Sequence, residues 1–417
     1  MDVITTALTA ASADGSAGAA YQVLKARLAG KSPRVDEAIA DLEDDPGSLS
    51  RQFAVSDALA AAGLAGDRYL RAAARNLVDE VDRRRALRAS ALAANQPNHA
   101  VVQVFFATDR QPTGDRHPAR QFGAGRGELC YGSCEVSVPR GAPDREAALP
   151  TLLRLQERPD PDGHAVLLRC DVAPRERYFA TLAEAAAKAG GAGPLLFVHG
   201  FRTSFEDAAR RAAGIAYELG FSGVPVLYSW PSQGRLSGYA VDETNVEWTQ
   251  AALGRFLADL AGQAGATPLV ALAHGMGARA LCGALVDRPE VRGQLKQVIL
   301  VVPDIGAEAF CRDTVPALAA GGARVTMYTS PGDEALRVAH GARGGPRAGD
   351  GSAEPIALPG IETIDASGAD TSLVGTTNGP SVLADIRLLL VSAIPPAERP
   401  GLQAADTSTG LHRKSNP

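Results

Sequence analysis

The chain has 417 residues, and its 42 basic and 47 acidic side chains leave a formal charge of −5, so no net positive field favours nucleic acid or an anionic membrane surface. No apolar run approaches the roughly 18 residues that a membrane-spanning helix needs, and the start Met1-Asp2-Val3 lacks the positive region of a secretory signal. Cys130, Cys134, Cys170, Cys282 and Cys311 include no second Cys or His pair at zinc-ligand spacing, which predicts free thiols, no metal and a cytoplasmic chain.

Residues 1–90 read as a helical bundle. Apolar positions recur at helical spacing in Ala20-Tyr21-Leu24-Leu28, Val35-Ala38-Ile39-Leu42, Phe53-Leu59 and Tyr69-Leu70-Leu77-Val81, with Pro33, Asp45-Pro46 and the Gly63–Gly66 stretch between them. That spacing predicts four short helices, with a charged continuation over Asp82–Leu92. The stretch resembles the small helical modules that precede effector or enzymatic domains in high-GC bacteria, which implies either a stability module or an adaptor for a protein partner. Residues 91–100 read as a linker.

From His99 the texture changes. Val101–Thr108 is a β-branched and aromatic strand, Asp109–Gly127 a long Arg-, Gly- and Pro-rich loop, and Ser133–Val138 and Ala165–Val172 are further strands. A regular alternation follows. Strands are expected at Leu195–Val198, Val224–Ser229, Leu269–Ala273, Val298–Val302, Ala323–Thr329 and Ile361–Ile364, and helices at Tyr178–Lys188, Phe205–Leu219, Thr244–Ala264 and Ala278–Val286. Such alternation predicts a doubly wound, mostly parallel sheet over residues 101–394, with functional groups at the carboxyl ends of its strands. The polar, Pro-rich stretch 395–417 reads as a disordered tail.

One stretch carries the chemistry. Leu269–Gly277 reads L-V-A-L-A-H-G-M-G, an apolar strand that ends in small residues and runs at once into a helix. This is the layout of a nucleophile elbow, where a Ser, Cys or Asp is lifted above the sheet of an α/β hydrolase. Here the nucleophile position holds Gly275, which has no nucleophilic atom. The backbone N–H groups of Phe201 and Met276 are the expected oxyanion-hole donors. His199, Gly200, His274 and Trp230 are expected around the pocket. His274 and His340 are poor candidates for a replacement base, Ser232 a poor substitute nucleophile, and Asp304 reads as shaping a turn.

From about Val101 to Leu402 the chain resembles a bacterial α/β-hydrolase family of unknown function, described as esterase-like or lipase-like. The segments that carry the resemblance are F-A-T-D-R at Phe106–Arg110, F-V-H-G-F at Phe197–Phe201 and F-E-D-A-A-R-R at Phe205–Arg211. Others are Y-S-W-P-S at Tyr228–Ser232, V-P-D at Val302–Asp304, V-T-M-Y-T-S before Asp333-Glu334-Ala335-Leu336, and Ile364–Leu373. The resemblance implies an α/β-hydrolase domain over residues 101–394, preceded by the small all-helical domain. It also implies a Ser–acid–His triad, of which this chain keeps the acid at Asp333. Gly275 stands at the serine position and Thr376 at the histidine position.

In subtilisin, a serine hydrolase, loss of the nucleophile or the base costs about six orders of magnitude in rate. The expected function is therefore a degenerate hydrolase that binds an acyl or other small-molecule ligand or a protein, without a cofactor. Two alternatives stand beside it. One is an active esterase or lipase with a non-standard nucleophile or base, and the other is a scaffold recruited through residues 1–90.

Overall fold

The computed structural model describes residues 2–13, 19–78, 81, 98–140, 164–190, 192–263, 269–333, 336, 345–351, 356, 360–367, 369–371, 373, 382–392, 398–399, 402–406 and 411–414. The chain divides into two compact units, Met1–Pro97 and Asn98–Pro417. Among the described residues no helix is long and apolar enough to cross a membrane.

The first unit is helical, with α1 (Val3–Ala13), α2 (Ala19–Leu28), α3 (Pro33–Asp44), α4 (Leu49–Ala61) and α5 over 68–78. Helix α1 escaped the sequence reading because the run V-I-T-T is poor in helix formers. It is started by Asp2, whose Oδ1 accepts from the Ile4 and Thr5 amides at 3.0 Å each, a capping arrangement worth about 1 kcal/mol. Ile4, Leu8 and Ala11 then share one buried stripe, in a core with Tyr21, Leu24, Ile39, Leu59 and Leu77. Of the charged continuation expected over 82–92, all residues lie outside the described ones.

The second unit is built on one sheet of order β10-β11-β9-β8-β7-β6-β4-β5-β1-β2-β3. Its strands are β1 (His99–Pro112), β2 (Phe122–Pro139), β3 (Val166–Ala173), β4 (Pro194–Val198), β5 (Val224–Ser229), β6 (Leu269–His274), β7 (Leu295–Val301), β8 (Arg324–Thr329), β9 (Ile361–Asp365), β10 (Leu402–Asp406) and β11 (Leu411–Lys414). The eight strands from β1 through β5, β4, β6, β7, β8 and β9 to β11 pair in parallel. β2 and β3 at one end and β10 at the other are antiparallel.

The central strands are apolar on both faces. In β6, Leu269, Ala271 and Ala273 face one core layer, with α9 (Gln250–Gln263) and α10 (Met276–Val286), while Val270 and Leu272 face the other, with α7 (Phe205–Leu219) and the helix Val382–Ser392. Both layers are dry, so the run L-V-A-L-A needs no polar alternation. This is the architecture of a doubly wound sheet, and its carboxyl edge collects the loops after β4, β6, β7 and β8.

Three expectations are corrected. The loop read over Asp109–Gly127 shrinks to 113–121, because β1 continues to Pro112 and pairs with β2 through Arg110↔Arg126 and Pro112↔Phe122. Ladder pairing overrides the Gly- and Arg-rich composition there. The helix read over Thr244–Ala264 is two helices, α8 (Tyr239–Trp248) and α9, parted at Thr249, whose buried hydroxyl donates to the Asp109 carboxylate. The tail read as disordered contains β10 and β11, with β11 paired in parallel to β9. Arg399, also in that stretch, is 2% exposed and donates to Asp385 of the preceding helix at 2.6 Å. A strand edge distant in sequence and a buried carboxylate on the preceding helix hold the described residues of this stretch.

Candidate functional site

Gly275 sits at the turn between β6 and α10 with φ 53° and ψ −121°, a conformation that glycine adopts freely and other residues avoid. Its N–H donates to Val301 O at 3.0 Å, and its carbonyl accepts from the Asp304 N–H at 3.1 Å. Both contacts tie the elbow to the strand β7 and its exit. A Cβ built on Gly275 would meet only the Cα of Gly200, at 3.9 Å, so the position has room for a side chain. Gly277 has none: its Cβ would lie 2.2 Å from His199 O and 2.6 Å from Val198 O. Gly200 has none either, since its Cβ would fall 2.6 Å from His274 Nδ1. Small residues at 200 and 277 let the β4 loop lie directly on the elbow.

That loop is held by a buried arginine. Arg110, 1% exposed, donates through Nη2 to Thr203 O at 2.7 Å, through Nη1 to Ser232 O at 3.0 Å and Gly123 O at 3.2 Å, and through Nε to Ser229 Oγ at 2.8 Å. Its Nη2 also meets His199 Nε2 at 3.3 Å. Because arginine only donates, Nε2 is the accepting nitrogen of His199, and Nδ1–H donates to Gly200 O at 2.8 Å. Burial and the Arg110 charge hold the His199 pKa well below its ordinary value. His199 is a neutral structural residue, stacked on Trp230 with ring centroids 5.1 Å apart.

Trp230, fully buried, donates to His199 O at 2.7 Å. Neither residue lines an open pocket as the sequence suggests; both buttress the loop from beneath. Ser232 is equally committed. Its hydroxyl donates to Asp242 Oδ2 at 2.6 Å and accepts from the Thr203 N–H at 3.1 Å.

Phe201 and Met276 present the two expected donors, and neither amide donates to any described acceptor. Met276 is the first residue of α10, where the N–H groups have no intrahelical partner and the helix dipole favours negative charge. Val302, directly after β7, and Arg202 and Leu373, farther along the segments that follow β4 and β9, have φ of 44°, 58° and 59°. Strain at non-glycine residues gathers along this carboxyl edge, as it does at functional sites.

The acid arm is built differently. Asp333 follows β8, half-buried, and its Oδ1 accepts from the Leu336 N–H at 3.0 Å while Oδ2 accepts from Thr371 Oγ1 at 3.5 Å. Thr376 and His340 lie outside the described residues. His274, the last residue of β6, is 9% exposed, with the Thr371 backbone and the Asp333 carboxylate among its polar neighbours. Burial lowers its pKa to about 4, against the opposing pull of Asp333. His274 is therefore neutral near pH 7 and feels the charge of Asp333.

Beside the elbow, Asp304 accepts from Tyr239 Oη at 2.9 Å and lies 3.3 Å from Arg347 Nε. The ring of Tyr239 packs edge-on against Phe201, centroids 5.2 Å apart. Asp304, in the turn after β7, is thus linked through Tyr239 to the loop after β4. The sequence assigns no site role to Arg110, Asp242, Tyr239 or Arg347; only Arg110 leaves a signal there, as the last residue of F-A-T-D-R. Among the described residues no group of three or more His, Cys, Asp or Glu side chains is placed to hold a metal ion.

Residues 180–373 match the family of α/β hydrolases of unknown function (DUF900), and residues 1–113 match the Het-E N-terminal domain family. No curated protein sequence matches the chain. Among solved structures, an α/β-superfamily protein from Xanthomonas campestris pv. campestris is 15% identical, covering 48% of this chain and 99% of that one with a TM-score of 0.27. Lipase B of Aspergillus fumigatus is 13% identical, covering 80% of this chain and 71% of that one with a TM-score of 0.24. At those scores neither structure carries weight for the site.

Proposed function

We propose, from a chain whose residues 180–373 match an α/β-hydrolase family, that this protein is a hydrolase homologue without serine chemistry that acts by binding an acyl or other small-molecule ligand. The observation that carries the reading is Gly275: the elbow turn, its two backbone anchors and the close-packed Gly200 and Gly277 are all present around a residue with no side chain. The turn forces positive φ, which costs a serine about 1–3 kcal/mol. Glycine removes the cost together with the nucleophile, and the amides of Phe201 and Met276 keep their binding capacity because they are backbone groups.

Three described groups that could be thought to replace the nucleophile are committed elsewhere. The Ser232 hydroxyl is tied to Asp242, His199 is locked beneath the loop, and the Cys282 thiol is buried in α10 with its pKa pushed up to about 12 by burial. The test is exposure to a fluorophosphonate probe together with hydrolysis of short p-nitrophenyl esters. No labelling is expected, and turnover no faster than in a variant with the His199-Gly200 loop disrupted. Saturable turnover that disappears on mutating a single residue near Gly275 would overturn the reading.

A further inference from the structure

Cys134 of β2 and Cys170 of β3 stand directly opposite each other in the antiparallel ladder. Directly opposed residues project to the same face of the sheet, and both thiols lie in the core layer that includes α7. Opposed positions have Cα atoms about 4.5 or 5.5 Å apart, inside the roughly 4.4–6.8 Å span of disulfides. Both cysteines are free. The remaining cysteines lack such a partner: Cys130 faces Thr108 of β1, Cys282 lies in the opposite core layer, and Cys311 falls in the helical stretch after β7.

We propose that Cys134 and Cys170 are a dithiol pair that a small-molecule disulfide oxidant converts to a cross-strand disulfide, locking the edge strand β3 onto β2. In the closed ladder the pair is inert. Cys134 is 1% exposed and Cys170 6%. Burial pushes the Cys170 thiol up to about 12 and Cys134 well above its usual value, so thiolate, the reactive form, is scarce.

Reaction therefore proceeds through opening of β3. Among the described residues that strand is the last in the sheet order and pairs only with β2. The ladder also slips one residue away, passing from Glu135↔Arg169 to Val136↔Leu167 and leaving Leu168 unpaired. A terminal strand beside an irregularity opens before the central ones do.

The chemistry balances in two exchanges. The Cys170 thiol, on the outer strand, loses its proton and attacks one sulfur of the oxidant, forming a mixed disulfide and expelling one thiolate. The Cys134 thiolate then attacks the Cys170 sulfur and expels the second. The pair loses two protons and two electrons, and the oxidant becomes two thiols.

The experiment treats the full chain with oxidised glutathione, with and without urea below the unfolding midpoint, and then counts thiols in denaturant and maps peptides without reduction. The expected result is loss of two of the five thiols, a Cys134–Cys170 linked peptide, a rate at least tenfold higher in sub-denaturing urea, and a melting temperature a few degrees higher after oxidation. A Cys130→Ser variant should behave as the parent, and Cys170→Ser should give no intramolecular link. Peptide mapping of the unaltered chain decides the matter even if Cys170→Ser does not fold. Five free thiols throughout, a link between any other pair, or glutathione left on one cysteine would each overturn the proposal, and a rate indifferent to urea would overturn the opening route.

Discussion

Around Gly275 the chain holds its shape with backbone: the elbow amide and carbonyl are anchored to β7 and its exit, Gly200 and Gly277 are in contact with neighbouring main chain and ring, and Arg110 binds three carbonyls of the surrounding loops. Around Asp333 it holds with side chains, a carboxylate shared between the Leu336 amide and the Thr371 hydroxyl beside the neutral ring of His274. The two halves of one site therefore tolerate substitution differently. At the elbow turn a lost side chain leaves the Phe201 and Met276 amides in place, because they are peptide groups, whereas the surrounding loops depend on the Arg110 guanidinium. Removing one from the second removes the hydrogen bonds that hold it, because they are made by the Asp333 and Thr371 side chains.

The sharpest way to break this contrast is Arg110→Met. It strips the donors from three carbonyls, and the buried groups left unpaired cost about 3–5 kcal/mol together. Urea denaturation reads the loss directly; a change below about 1 kcal/mol would show that the loop does not depend on that guanidinium. Gly277→Ala comes next, at about 3 kcal/mol, because its Cβ overlaps two carbonyl oxygens that belong to the β4 strand and loop. If it melts like the parent, the β4 loop is not packed on the elbow as described.

The acid side is probed by pH. His274 has a folded pKa of about 4, below the roughly 6.5 of an unfolded chain. Between those values the unfolded state binds more protons, so stability falls as pH drops from about 6.5 to 4. His199 acts in the same sense, whereas Asp109, raised to about 6 by burial, acts in the opposite one. The difference between parent and His274→Gln therefore isolates the effect: the variant should lose about 2 kcal/mol less over that range. Parallel pH profiles would mean that His274 is not buried neutral.

The smallest expected effect is Gly275→Ser, about 1 kcal/mol from the positive φ and none from crowding. It should fold and stay inactive towards p-nitrophenyl esters. Measurable hydrolysis would mean that a base already stands within reach, with His274 the first residue to mutate.

Much of this was legible in the residues. The run L-V-A-L-A-H-G-M-G marks a strand buried on both faces that turns at once into a helix, and that pattern is local. The absence of a nucleophile at 275 is legible for the same reason. The role of His199 was not, since a histidine after an apolar strand looks alike in a pocket and beneath one; the partners that settle it, Arg110, Ser229 and Trp230, come from β1, β5 and the β5 exit. Helix α1 was missed because its β-branched start is weak in local propensity and is rescued by a cap and a buried stripe.

The amino-acid order by itself determined the alternation of strands and helices, the doubly wound sheet and the missing serine, since each depends on periodicity or on the identity of one residue in a short window. Tertiary structure alone decided that Leu402–Asp406 and Leu411–Lys414 add strands to the sheet, that β1 runs through Asp109 and Arg110, that Cys134 faces Cys170, and that His199 is a buttress. Strand register and buried hydrogen bonds are made between residues tens to hundreds of positions apart, and no local pattern specifies such a partner.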